Sequence, residues 1–183
     1  MTGERKIIDA PTTRDATGKA CCGHLDMRIA HDGKWFYHGT PIPRKEMVCL
    51  FASMLTRRDD GTYWLVTPVE EGMIDVEDVP FLAVEMFTCG SGREMVFSFR
   101  TNVDEMITLN GHHPLRVVCD DGNGNTGHPP YLSVRDGLEA RLTRSVYYEL
   151  VALGIEEKIG EERLYGVWSS GIFFPLGRLE ELV

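Results

Sequence analysis

The order of elements between Met27 and Thr67 returns about a hundred residues later. A chain that repeats a supersecondary unit is expected to fold as two halves of similar build. In the first copy, the apolar run 27–30, the turn His31-Asp32-Gly33 and the aromatic run 34–38 predict a hairpin. Gly33 supports it, because glycine takes positive φ at little cost. A helix is expected from near Pro43, since a proline in the first turn loses no hydrogen bond. A strand over 63–67 closes the copy. In the second copy, 131–134, the turn Arg135-Asp136-Gly137 and 138–142 predict another hairpin. A helix from about Arg144 and a strand over 164–169 follow.

The helices carry the details of the repeat. Met47, Leu50, Phe51, Met54 and Leu55 fall on one helical face. Arg57 and Arg58 then suit the helix C-terminus, where the dipole favours cations. The second helix is expected to start at a Thr143 or Ser145 cap and to end at Gly154. At an offset of one hundred, Tyr147, Leu150 and Val151 answer to Met47, Leu50 and Phe51. Between the copies lie a strand at 73–76 and a long hairpin, 80–89 with 93–100, around Gly90-Ser91-Gly92. Met95, Phe97 and Phe99 share one side of its second arm. Short strands are expected at 105–109 and 115–119, a charged connector at 155–162, and a last hairpin of 164–168 with 172–176. The fold expected is α+β, with two related hairpin–helix–strand repeats packed together. Residues 1–22 read as a polar tail, 23–90 as the first repeat domain and 91–183 as the second.

Composition sets the function classes. The 183 residues are 43% hydrophobic and 26% charged, an ordinary globular balance. A net charge of −9 argues against a partner that is a nucleic-acid polymer, which needs a field of Lys and Arg. It leaves room for a small anion, which needs only a few local arginines. No apolar run approaches the roughly 18 residues of a spanning helix, so no membrane partner is expected. The first twenty residues lack the apolar core of a secretory signal, so a cytoplasmic protein is expected. Five cysteines, at 21, 22, 49, 89 and 119, form no framework and are read as reduced thiols. Cys21-Cys22 with His24 lacks a second ligand pair, so neither metal nor cofactor is expected. Asp121, Asn123 and Asn125 alternate as in a calcium loop. Thr126 and Leu132 break that pattern, which leaves a flexible hairpin loop.

No nucleophile elbow, phosphate loop, dinucleotide fingerprint or zinc-protease helix is present. The acid pairs Glu77-Asp78 and Asp104-Glu105 are neighbours in sequence and point to opposite faces of a strand. Arg44 and Arg144 each begin a helix, where the dipole disfavours a cation. A repeated cation there suggests either a bound anion or an ion pair with Glu70, Asp78 or Asp104. Trp35, Tyr37, Trp64 and Trp168 are core candidates that also offer stacking faces.

Five segments carry a family resemblance: LDMRIAHDGKWFYHGTPIPR, LVTPVEEGMIDVEDVPF, FRTNVDEMITLNGHHPLRV, YLSVRDGLEARL and GVWSSGIFFPLG. Together, in order and over about Gly23 to Gly177, they resemble the bacterial domain-of-unknown-function family 1285. The resemblance implies a duplicated α+β core of two interlocked small domains, the second loosely pleckstrin-homology-like. It also implies a site where the halves meet, for a nucleotide-like small anion, and a role in signal transduction. Motif residues expected to line that site are Trp35, Arg44, Thr67, Glu70, Thr101, Asn102, Asp104, His113, Arg116, Trp168 and Ser169, with Arg144 as the partner of Arg44. Gly72 departs from the family pattern, which would place a Lys there. The expectation is a non-enzymatic ligand-binding or signalling module. The alternatives are a protein-interaction adaptor and a hydrolase using His113 with Asp104 or Glu70.

Overall fold

In the computed structural model the described residues are 13–14, 20–117 and 129–179. The chain divides into two compact units, Met1–Ala30 with Lys34–Glu77, and His31–Gly33 with Asp78–Val183.

The first unit carries β1 (Thr13–Arg14), β2 (Ala20–Ile29), β3 (Trp35–Tyr37), β4 (Thr40–Pro41), α1 (Lys45–Ser53), β5 (Leu55–Arg57), β6 (Tyr63–Val66) and β7 (Glu70–Val76). Its sheet runs β4-β3-β2-β7-β6-β5, with β1 paired to the start of β2. Two antiparallel meanders meet at a parallel pair, β2 with β7, aligned from Ala20 beside Glu70 to Ile29 beside Val76. Met27, Ile29, Trp35, Ala52, Leu55, Leu65 and Ile74 are buried. Each such large side chain contributes roughly 1.5–3 kcal/mol when fully buried.

The second unit repeats the strand order. It carries β8 (Phe81–Cys89), β9 (Val96–Thr101), β10 (Met106–Thr108), β11 (Leu115–Arg116), β12 (Tyr131–Arg135) and β13 (Leu138–Leu142). This sheet runs β10-β9-β8-β13-β12-β11, again two meanders joined by a parallel pair, β8 with β13. α2 (Arg144–Ala152) follows, then a three-stranded antiparallel sheet of β14 (Ile155–Ile159), β15 (Glu162–Ser169) and β16 (Ile172–Arg178). Phe81, Phe97, Phe99, Leu132, Leu138, Leu142, Val146 and Leu150 fill the core. The alternation expected in β9 holds, with Phe97 and Phe99 buried and Val96 and Ser98 half-buried.

The fold is therefore α+β: two mixed sheets with the same six-strand path, the first with β1 added, each with a helix, and a third small sheet. Both expected turns form. Gly33 and Gly137 take φ of 78° and 76°, and Asp136 joins them at 40°.

Several expectations change. The helices hold different places, because α1 links two meanders whereas α2 follows the second. The hairpin before α1 therefore belongs to a first meander, and the hairpin before α2 to a last one. The offset of one hundred also fails as a burial register. Leu50 is 58% exposed, whereas its counterpart Leu150 is fully buried. The buried row of α2 is Val146 with Leu150, and in α1 only Ala52 is buried. α1 stops at Ser53, and Arg57 lies in β5 instead of at a helix end. The expected connector 155–162 contains β14, in which Glu156, Glu157 and Lys158 stand between exposed Ile155 and Ile159. Where the sequence reading set a division at Gly90, that residue turns β8 into β9; the compact units separate at Glu77 and Asp78. The calcium-like stretch and Cys119 fall largely or wholly outside the described residues.

Candidate functional site: an apolar cavity under the first helix

α1 has nine residues and no side-chain cap at Arg44. A helix this short is marginal alone and must be held by packing. The space left beneath α1 is a cavity of about 380 Å³ within the first unit. Its size falls in the range of about 300–1,000 Å³ typical of small-molecule sites.

Each lining element contributes for a local reason. On β2, Leu25 and Met27 alternate with solvent-facing neighbours and point under the helix. Tyr37 comes from β3 and Ile42 from the segment leading to the helix. Met47, Phe51 and Met54, at helical spacing, form the roof, and Leu65 of β6 the opposite wall. Phe51 also stacks on buried Trp35, centroids 6.4 Å apart. Gly72 completes the floor. A Cβ there would lie 2.5 Å from Leu25 Cγ, so glycine is what lets Leu25 lie across β7.

The polar rim is short: Cys22, Thr67, Glu70 and Glu71. Thr67 is bound up in its own turn, donating to the Glu70 carbonyl at 2.8 Å and accepting from the Glu70 N–H at 3.0 Å. Buried Glu71 is paired with Arg58 at 2.6 Å, and that guanidinium lies 3.6 Å from the centre of the Trp64 ring. The Cys22 thiol donates to Glu70 Oε2 at 3.7 Å. Loss of solvent around the sulfur, then the Glu70 carboxylate, push that thiol above its ordinary range, so it stays protonated near neutrality.

Comparison with known proteins fixes the family. Residues 18–79 match the model described as "Domain of unknown function (DUF1285), N-terminal domain", and residues 80–176 match "Protein of unknown function (DUF1285), C-terminal domain". The chain belongs to the DUF1285 family. It is similar to a DUF1285 family crystal structure from Silicibacter pomeroyi DSS-3, with 43% identity and a TM-score of 0.77. That match covers 94% of this chain and 90% of the other. A second DUF1285 family structure, from Shewanella baltica OS155, matches at 30% identity and a TM-score of 0.53, over 70% of this chain and 91% of the other. No curated protein matches the chain.

The DUF1285 motif residues divide between several places. Thr67 and Glu70 reach the cavity. Trp35 lies behind it, 2% exposed, its indole N–H without a partner among the described residues. Arg44 is exposed at the helix start and is not part of the lining.

The others belong to the second unit. Asn102 accepts from Leu82 N–H at 3.0 Å and donates to the Gly33 carbonyl at 3.3 Å. Buried Thr101 accepts from Glu105 N–H. Asp104, at φ 64°, pairs with Arg100 at 2.9 Å. His113 Nδ1 lies 3.2 Å from the Ser133 carbonyl. Arg116 grips Glu139 with two bonds and lies over the Tyr131 ring. Trp168 donates to Glu157 and packs under Arg93. Ser169 is fully buried, and Arg144 is exposed at the start of α2.

A second polar cluster in this unit gathers Asp78, His31, Arg141 and Tyr131. Tyr131 donates to Asp78 at 3.1 Å, and Arg141 pairs with the same carboxylate at 3.4 Å. Burial, then the Asp78 charge, push the Tyr131 phenol above its ordinary range. No group of three or more metal-ligating side chains occurs among the described residues. Among them, no helix is long and apolar enough to cross a membrane.

The family motifs pointed to Thr67 and Glu70, and helical spacing to Met47, Phe51 and Met54. Leu25, Ile42 and Leu65 lie within the family segments and Cys22 in a cysteine pair, but neither pattern marks them as lining a site. They become a site only through the pairing of β2 with β7.

Proposed function

We propose that this DUF1285 chain is a non-enzymatic ligand-binding module with a signalling role, and that the cavity under α1 is its site. The observation that carries the reading is an apolar hollow of about 380 Å³ bounded by α1 on one side and by β2, β6 and β7 on the other. An apolar occupant would remove the lining side chains from water and make dispersion contacts with them, which would stabilise α1 in place. The ligand class follows from the walls. The sequence pointed to a small nucleotide-like anion; the cavity offers apolar walls and a rim with carboxylates, which favours an apolar molecule instead. A ligand that fastens α1 changes the outer face of that helix, and this is the form a signal to a protein partner would take.

We also take the two six-strand paths as copies of one ancestral unit. Their matching strand orders support this. The hydrolase alternative gains nothing from the geometry, because His113 and Asp104 each bond to other groups.

Titration with the neutral apolar dye Nile red tests the site. The expected outcome is saturable binding of about one dye per chain. Met47 is 41% exposed and lines the roof, so Met47→Trp fills the cavity without disturbing the core. That variant is expected to keep its Tm and bind the dye at least tenfold more weakly. Absence of binding, or equal binding by the variant, would overturn the reading.

A further inference from the structure

Taking the cavity as the site, we infer that its ligand is a cationic amphiphile, an apolar body ending in a protonated amine or quaternary ammonium that meets Glu70. The inference rests on the cavity reading and adds the charge of the head group. Among the described residues, no Lys, Arg or His lines the cavity. Of its two carboxylates, Glu71 is already matched by Arg58, which is itself held against Trp64. Glu70 is exposed at the rim, and the polar contact of its carboxylate is a neutral thiol. Among the described residues, one negative charge is therefore left facing a mouth with apolar walls.

The available hydrogen-bonding groups point the same way. The Thr67 hydroxyl proton is engaged by the Glu70 carbonyl, and the Cys22 proton by the Glu70 carboxylate. An anionic head would meet Glu70 with only the Tyr37 hydroxyl, among the described lining side chains, as a donor to offset the repulsion. A neutral head would gain no ion pair. A cationic head gains one beside low-dielectric walls, where charge interactions are stronger than in water. The rings of Tyr37 and Phe51 in the lining add faces suited to an ammonium group. The net charge of −9 also favours the approach of a cation.

Displacement of Nile red from the intact protein by decylamine, decanol and decanoate at low ionic strength separates the possibilities. The three share a tail and differ in head charge. Decylamine is expected to bind at least tenfold more tightly than decanol, and decanoate the most weakly. Glu70→Gln should lower decylamine to the affinity of decanol. Glu70 is exposed and its local bonds are made by its backbone, so this variant should fold. Equal affinities for all three, or a preference that survives Glu70→Gln, would overturn the charge assignment while leaving the cavity reading intact. No displacement by any of them, with no dye bound, would overturn both.

Discussion

At Ser169 the hydroxyl donates to the Leu109 carbonyl at 2.7 Å and accepts from the Phe97 N–H at 3.0 Å. The residue is fully buried, and its bonds tie β15 to β9 and to the residue that follows β10. Its place in the family pattern has a structural cause: a buried N–H needs an acceptor. Ser170 also donates to the Leu109 carbonyl, at 3.1 Å. Ser169→Ala would therefore leave chiefly the Phe97 N–H unpaired. The expected cost is about 1–3 kcal/mol. Calorimetry should show it as a fall of roughly 2–4 °C per kcal/mol in Tm, with Nile red binding unchanged. An unchanged Tm would mean that the bridge contributes nothing. The same logic explains Asn102, whose amide is engaged at both ends. At this scale the sequence was legible for residue type and only partly for role. Asn102 and Ser169 were read as ligand contacts because bonding to distant backbone leaves no local signature, whereas Gly33 was read correctly because its turn is local.

At the scale of elements, α1 and the strands beneath it depend on one small residue. Gly72 sits under Leu25, and any side chain there must displace it. The cavity is the free space beside Leu25, so the displaced side chain would enter it. Gly72→Ala is expected to weaken Nile red binding several-fold. Its stability cost should be at most about 1–3 kcal/mol, as for ordinary overpacking, and equilibrium urea unfolding would measure it. Unchanged affinity would show that Leu25 moves elsewhere. The elements misread were those with no distinct period. β5 continued the helical spacing through Met54 and Leu55, so it was taken as helix. β14 has exposed side chains along most of its length and no buried face to reveal alternation. Longer alternating segments such as β9 were legible because one face is buried.

On the scale of the whole chain, two sheets share one strand order, each joining its meanders through a parallel pair. Those parallel pairs are the least legible feature. Hairpins announce themselves through adjacent turns, whereas β2 with β7 and β8 with β13 join strands far apart in sequence. The sequence thus revealed a repeat but attached it to the wrong elements. The cavity depends on the first of these parallel pairs, which brings Leu25 and Met27 alongside Gly72 beneath α1. Its methionines provide a direct report. Met27, Met47 and Met54 line it, whereas Met86, Met95 and Met106 belong to the second unit. Methyl NMR of methionine-labelled protein, recorded with decylamine and separately with decanol, would read both groups at once. The expected result is that Met27, Met47 and Met54 shift to saturation while Met86, Met95 and Met106 stay in place. Saturating ligand that leaves the first three unmoved, or that moves the second three instead, would contradict a site under α1.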